Sequence, residues 1–112
     1  MSKRRELEEI CQRVPEIVGR YTKLMLHVND QVLIERTAQH EKWGQQRHNY
    51  GDWLMILGEE FGEVCEAMQR NKGWGKKTDA VDLHKELVQL AAVASAIAEQ
   101  VIEERGLTHD KT

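Results

Sequence analysis

A chain of 112 residues has room for one domain with one modest core. Its residues are 40% hydrophobic and 31% charged, with a single proline, which excludes a disordered or fibrous class and fits a soluble, helix-rich one. A formal net charge of -3 argues against coating a nucleic-acid polymer, and the lack of a long apolar run excludes a membrane-spanning helix.

The N-terminal run Met1-Ser2-Lys3-Arg4-Arg5-Glu6 has no apolar stretch of the signal-peptide kind, so a cytoplasmic location is expected. Cys11 and Cys65 lie in helical patterns and are too far apart to suggest a zinc site; free, buried thiols in a reducing compartment are expected. β-branched residues never alternate over a useful length, so the expected fold class is all-α. The first segment, about Lys3 to Val14, reads as a charged helix. Pro15 suits the first turn of a second helix with Ile17, Val18, Tyr21, Leu24, Met25 and Val28 on its apolar face. Asn29-Asp30 either breaks that helix or lets it run on to about Lys42. Trp43 to Gly51 reads as a loop, with Gly44, Asn49 and Gly51 as breakers.

Asp52 is the expected N-cap of a helix from about Trp53 to Arg70. Its apolar face is Trp53, Leu54, Leu57, Phe61, Val64, Cys65 and Met68. At about 100° per residue, Glu60 falls on the shoulder of that face and Glu63 further round, in a row with Ile56 and Ala67. Glu59 and Glu66 point away from the core. Asn71 to Lys77 is a glycine-rich basic loop. Thr78 or Asp79 is expected to cap the last helix, which ends near Arg105 at Gly106. Leu87 to Ala98 is apolar or small nearly all round, more than one short chain can cover. A homo-oligomer using this helix is therefore expected. Glu86 shares its flank with Leu83, Leu90, Val93 and Ile97; a lone glutamate there needs a partner or a metal.

A short connection suggests antiparallel packing of the two acidic helices, which brings Glu60 and Glu63 opposite Glu86. Three converging carboxylates fit a hard, oxygen-loving dication such as Mg²⁺, which is commonly shared with substrate phosphates. The plain alternative is a solvated helix face, since glutamate is a good helix former. A di-iron bundle would need Glu-x-x-His, and no glutamate here has histidine three residues on.

Other side chains suit a nucleotide. Trp43 and Trp53 flank the loop Gln45-Gln46-Arg47-His48-Asn49, where rings stack on bases and amides such as Gln46 bond base edges. The alternative is that both tryptophans are core staples, the favoured reading for Trp53. Gln39 and Lys42 precede Trp43 at helical spacing and reach toward base or phosphate. Lys72, Lys76 and Lys77 attract phosphate as point charges or simply solvate a turn. Trp74 between two glycines serves as a lid or as an anchor in a neighbouring subunit. His48 and His84 read as surface or capping residues rather than ligands.

Glu59-Glu60-Phe61-Gly62-Glu63, followed by Glu86-Leu87-Val88-Gln89, resembles the signature of the MazG-like nucleoside triphosphate pyrophosphohydrolases: Glu-Glu-x-x-Glu on one helix, Glu-x-x-Asp on the next. Glu35-Arg36-Thr37-Ala38-Gln39-His40-Glu41-Lys42-Trp43-Gly44 and Glu86 to Ala94 also look like that family, and the likeness covers about Glu35 to Glu99. It implies one domain over residues 1–112, with 1–30 an extra helical region and 35–105 the motif-bearing core. It implies an all-α helical bundle of the NTP pyrophosphatase type, completed by oligomerisation as a homodimer or homotetramer. The implied reaction is Mg²⁺-dependent hydrolysis of a nucleoside triphosphate, often deoxy or non-standard, to the monophosphate and pyrophosphate, with Mn²⁺ as an alternative ion. Carried over, Glu60, Glu63 and Glu86 are metal ligands, and Glu59 positions water or a second metal. Gln89 stands where the signature has Asp; its carbonyl oxygen can ligate a cation, but it brings no charge and cannot act as a base. That departure keeps a non-catalytic helical interaction module, or a nucleotide sensor, as the alternative.

Overall fold

The computed structural model describes residues 3–17, 20–74, 80 and 82–106. Four helices follow in order: α1 (Lys3–Ile17), α2 (Arg20–Trp43), α3 (Tyr50–Asn71) and α4 (Leu83–Glu104). No strand occurs among the described residues, and none of the helices there is long and apolar enough to cross a membrane. The expected all-α class is what the chain adopts.

The chain divides into two units, Met1–Asp30 and Gln31–Thr112. In the first, α1 continues through Pro15 to Ile17, so Pro15 sits in a last turn and does not open a new helix. A proline there has no N–H to give to the helical ladder. Asn29-Asp30 does not break α2, which runs unbroken to Trp43. Leu7, Ile10, Leu24, Met25, Leu26 and Val28 are exposed, and so is Cys11, contrary to the buried thiol expected.

In the second unit α3 and α4 pack antiparallel. Trp53, Val93 and Ala96 form the centre of the core, with Ile56, Leu57 and Ile97 against them. Val64, Ala67 and Ala92 are also buried. Full burial of a side chain such as that of Val64 or Val93 contributes roughly 1.5–3 kcal/mol.

Several expected details shift. Asn49, not Asp52, caps α3: its side chain accepts from the Asp52 N–H at 2.8 Å, leaving Asp52 in the first turn, where an acid complements the helix dipole. Asp82 caps α4 by accepting from the Lys85 N–H at 3.2 Å; Thr78 and Asp79 lie outside the described residues. Gly44 ends α2 at φ 73°, and its N–H closes on the His40 carbonyl at 2.8 Å. The apolar arc of α3 is wider than one partner covers. Trp53, Ile56, Glu60, Val64 and Ala67 turn to α4, while Leu54, Phe61 and Met68 stay exposed. Leu54, Leu57, Gly58, Phe61 and Leu90 border an apolar groove of about 450 Å³.

Candidate metal centre

The packed arc of α3 carries Glu60 and Glu63 beside its core residues, and that of α4 carries Glu86 two turns and Gln89 one turn before Val93. Antiparallel packing therefore sets acids from both helices face to face beside the Trp53, Val93 and Ala96 cluster. One oxygen from each of Glu60, Glu63 and Glu86 lies within 4.8 Å of the other two. Glu86 is only 7% exposed, and Glu60 and Glu63 are half-buried.

Glu60 Oε2 and Glu86 Oε2 are buried with no hydrogen-bond partner. Such atoms are costly unless something positive completes them. Burial and the neighbouring like charges favour the protonated carboxyls. Burial, then the charges of Glu63, Glu86 and Glu59, push Glu60 up from 4.5 to about 7. Burial, then a hydrogen bond with Glu63, raises Glu86, with Lys85 opposing.

The cluster fits a hard dication. Opposite ligands around an oxygen-coordinated ion sit about 4.2 Å apart for Mg²⁺ and somewhat more for Ca²⁺, close to the span found here. The donors are all oxygen, the set is anionic, and two oxygens lack other partners. Gln89 faces the same space, so its amide oxygen is available as a neutral fourth donor.

Beside the acids opens a pocket of about 430 Å³. Glu60, Glu63 and Gln89 form one wall; Trp53, Ile56, Val93 and Ala96 form the floor; Glu35, Arg36, Gln39, Trp43, Gly44 and Gln46 form the rest. Trp53 is 3% exposed and is both core staple and pocket floor, its Nε1 donating to Gln100 Oε1 at 2.7 Å. The His48 ring meets the Trp53 ring edge-on at 4.8 Å. The loop from residue 44 to 49 is tied to α4: Arg47 forks onto Glu103 at 2.7 and 2.8 Å, and Gln100 bonds both backbone groups of His48.

The chain matches no family model, no curated protein and no solved structure. The site's chemistry must be read from its own side chains.

Of the residues singled out from sequence, Glu60, Glu63, Gln89, Gln39, Trp43 and Gln46 meet at this pocket, and Glu86 lies behind its acidic wall. Glu59 is exposed on the far side of α3. Lys42 does not line the pocket; its Nζ sits 4.7 Å above the Trp43 ring. Lys72 and Trp74 are exposed beyond the end of α3 and pair with each other at 5.7 Å. Lys76 lies outside the described residues. His84 bonds Gln31 at 2.6 Å, away from the acids. Glu35 and Arg36 line the pocket as well; Glu35, Gln39 and Trp43 at intervals of four share one helix face, which is the sequence signal that finds Glu35.

Proposed function

We propose that this protein hydrolyses a nucleoside triphosphate, deoxy or non-standard, to the monophosphate and pyrophosphate with the help of Mg²⁺ or Mn²⁺. The observation that carries this reading is the pair of unpartnered, buried carboxylate oxygens of Glu60 and Glu86 beside a 430 Å³ pocket walled by Trp43, Gln39 and Gln46. That volume lies in the range of small-molecule sites. In the reaction, water adds across the α–β anhydride; the monophosphate keeps the incoming oxygen and pyrophosphate leaves. A dication held at the cluster would polarise the phosphoryl oxygens and lower the pKa of bound water. Glu60, Glu63 and Glu86 would hold it, with Gln89 as a neutral donor. Trp43 offers a ring face to the base, Gln39 and Gln46 offer amide groups, and the apolar floor excludes water.

The resemblance of Glu59–Glu63 and Glu86 to the MazG-like signature supports the same reading. The groove at Leu54, Leu57, Phe61 and Leu90 supports assembly as a homodimer or homotetramer, since apolar surface of this kind is seldom left open. The lack of a helix able to cross a membrane among the described residues accords with a cytoplasmic site of action.

Gln89 favours a second reading, a nucleotide-sensing or interaction module on the same fold, because a neutral donor weakens the cation's hold. Pyrophosphate release from a panel of canonical and modified triphosphates with Mg²⁺ separates the two. The enzyme reading expects release from at least one member and its loss in Glu63→Ala. Silence across the panel removes it; a thermal shift with a non-hydrolysable triphosphate then divides sensor from scaffold.

A further inference from the structure

The pocket's outer wall is a fixed chain of hydrogen bonds. Arg36 Nε and Nη2 fork onto Glu99 at 3.0 and 2.7 Å. Arg36 Nη1 donates to Gln39 Oε1 at 3.2 Å, and Gln39 Nε2 donates to Glu35 Oε2 at 3.2 Å. The guanidinium is all donor, so it holds the Gln39 amide with its oxygen toward Arg36 and its NH₂ toward Glu35. Glu35 is left as an acceptor-only group in the wall of a nucleotide-sized space.

Among the described residues lining the pocket, Arg36 is the only cation, and Glu99 already neutralises it. Glu35, Glu60 and Glu63 are the acids. Glu60 and Glu63 have a cation to expect; Glu35 is not part of their cluster. A phosphate set against Glu35 is repelled. The part of a nucleotide that Glu35 can face is therefore a hydrogen-bond donor, a sugar hydroxyl or a base edge, and the Trp43 ring on the same helix face of the same pocket favours the base edge.

We infer that Glu35 is a specificity-determining residue that selects triphosphates whose base carries an exocyclic amino group (adenine, cytosine or guanine) over thymine and uracil; this rests on the nucleotide reading above. A carboxylate accepts from N4–H₂ of cytosine, N6–H₂ of adenine, or N1–H and N2–H₂ of guanine. Thymine and uracil present two carbonyl oxygens around one N–H, and those oxygens meet the carboxylate as like dipoles. The discrimination is thus partly repulsive. A site built to bond one polar group rejects the analogue lacking it strongly.

The test compares kcat/KM for dATP, dGTP, dCTP, dTTP and dUTP with Mg²⁺ in the wild type and in Glu35→Gln. The wild type is expected to prefer at least one amino-bearing base over both dTTP and dUTP by about a hundredfold, the upper end of what one bidentate base-edge contact discriminates. An amide can turn either its oxygen or its NH₂ to the base, so Glu35→Gln should narrow that preference by about tenfold, the scale of one base-edge contact. Circular dichroism checks that the variant is folded. Wild-type turnover of dTTP or dUTP as fast as of every amino-bearing base overturns the inference while leaving the pyrophosphohydrolase standing. An unchanged preference in folded Glu35→Gln also overturns it. If no triphosphate is turned over, the function proposed above fails, and tryptophan fluorescence quenching of the wild type by the five deoxynucleoside monophosphates decides. Tighter quenching by an amino-bearing base sustains the role of Glu35; equal or absent quenching ends it.

Discussion

Trp53 on α3 and Gln100 on α4 are joined by a buried hydrogen bond of 2.7 Å. Gln100 Oε1 also accepts from the His48 N–H at 3.2 Å, and its Nε2 donates to the His48 carbonyl at 2.8 Å and to Glu104 at 2.9 Å. One amide thus satisfies the floor of the pocket, the loop before α3 and the end of α4. Gln100→Ala leaves the indole N–H and two backbone groups without partners. The expected loss is about 2–4 kcal/mol of stability in urea denaturation, the scale of several unsatisfied buried groups. A loss below about 0.5 kcal/mol would show that water replaces the amide freely.

The acidic cluster makes stability depend on pH in the metal-free protein. Glu60 titrates near 7 when folded, against 4.5 ordinarily, chiefly because it is buried. Between those values the folded chain holds more protons than the unfolded one, so stability falls as pH rises. The contribution is fully present below about pH 4.5 and is lost as pH passes through about 7. Undiminished, the shift is worth roughly 3 kcal/mol; solvent reaching the half-buried group reduces this to about 1–2 kcal/mol. The raised Glu86 acts in the same direction. Melting in EDTA should therefore drop between pH 5 and pH 8. Mg²⁺ should raise it more at pH 8 than at pH 5, because only the ionised carboxylates hold the ion. An equal response to Mg²⁺ at both values would argue against a metal at these acids.

Glu86→Gln separates stability from binding. It removes a buried charge from among like charges, so the variant should melt higher than the wild type in EDTA at pH 8. It should also lose the Mg²⁺-induced rise and at least about a hundredfold in pyrophosphate release, since even groups that only support a metal ligand cost up to that much.

Gln89→Asp is the converse experiment. It supplies the acid that the resembled signature has at that position. The Mg²⁺ concentration giving half-maximal stabilisation or turnover should fall by about tenfold, while stability in EDTA should fall too. No change in the Mg²⁺ response would place Gln89 outside the ion's reach.

Trp43 is 56% exposed although it lines the pocket. Its removal should cost little folding stability, within about 0.5 kcal/mol. Stacking on a base is worth about 1–3 kcal/mol, so Trp43→Ala should raise KM by about 5- to 150-fold with little change in melting. A variant that melts several degrees lower with an unaltered KM would make Trp43 a packing residue.

The acidic wall was legible in the sequence because helical spacing is a local property. Glu60, Glu63 and Glu86 follow from a 100° turn per residue and one short connection between two strongly patterned helices. The same arithmetic misjudged α3, since periodicity shows an apolar arc but not how much of it a partner covers. Leu54, Phe61 and Met68 belong to that arc and remain open, while Glu60 sits near the middle of the packed face. Asn49 displaced Asp52 as the cap because both residue types cap equally well and backbone geometry alone chooses between them.

Length, charge and 3.6-residue periodicity by themselves determined a helical chain with paired acids on facing rods. Only the tertiary structure decided that Arg36 reaches Glu99 across 63 positions, that Gln100 ties Trp53 to His48, and that Glu35 and Gln39 border the same space as Glu60. Spacing along one helix is fixed by covalent geometry, whereas contacts between distant segments depend on how side-chain volumes and hydrogen-bond partners are shared when the helices meet.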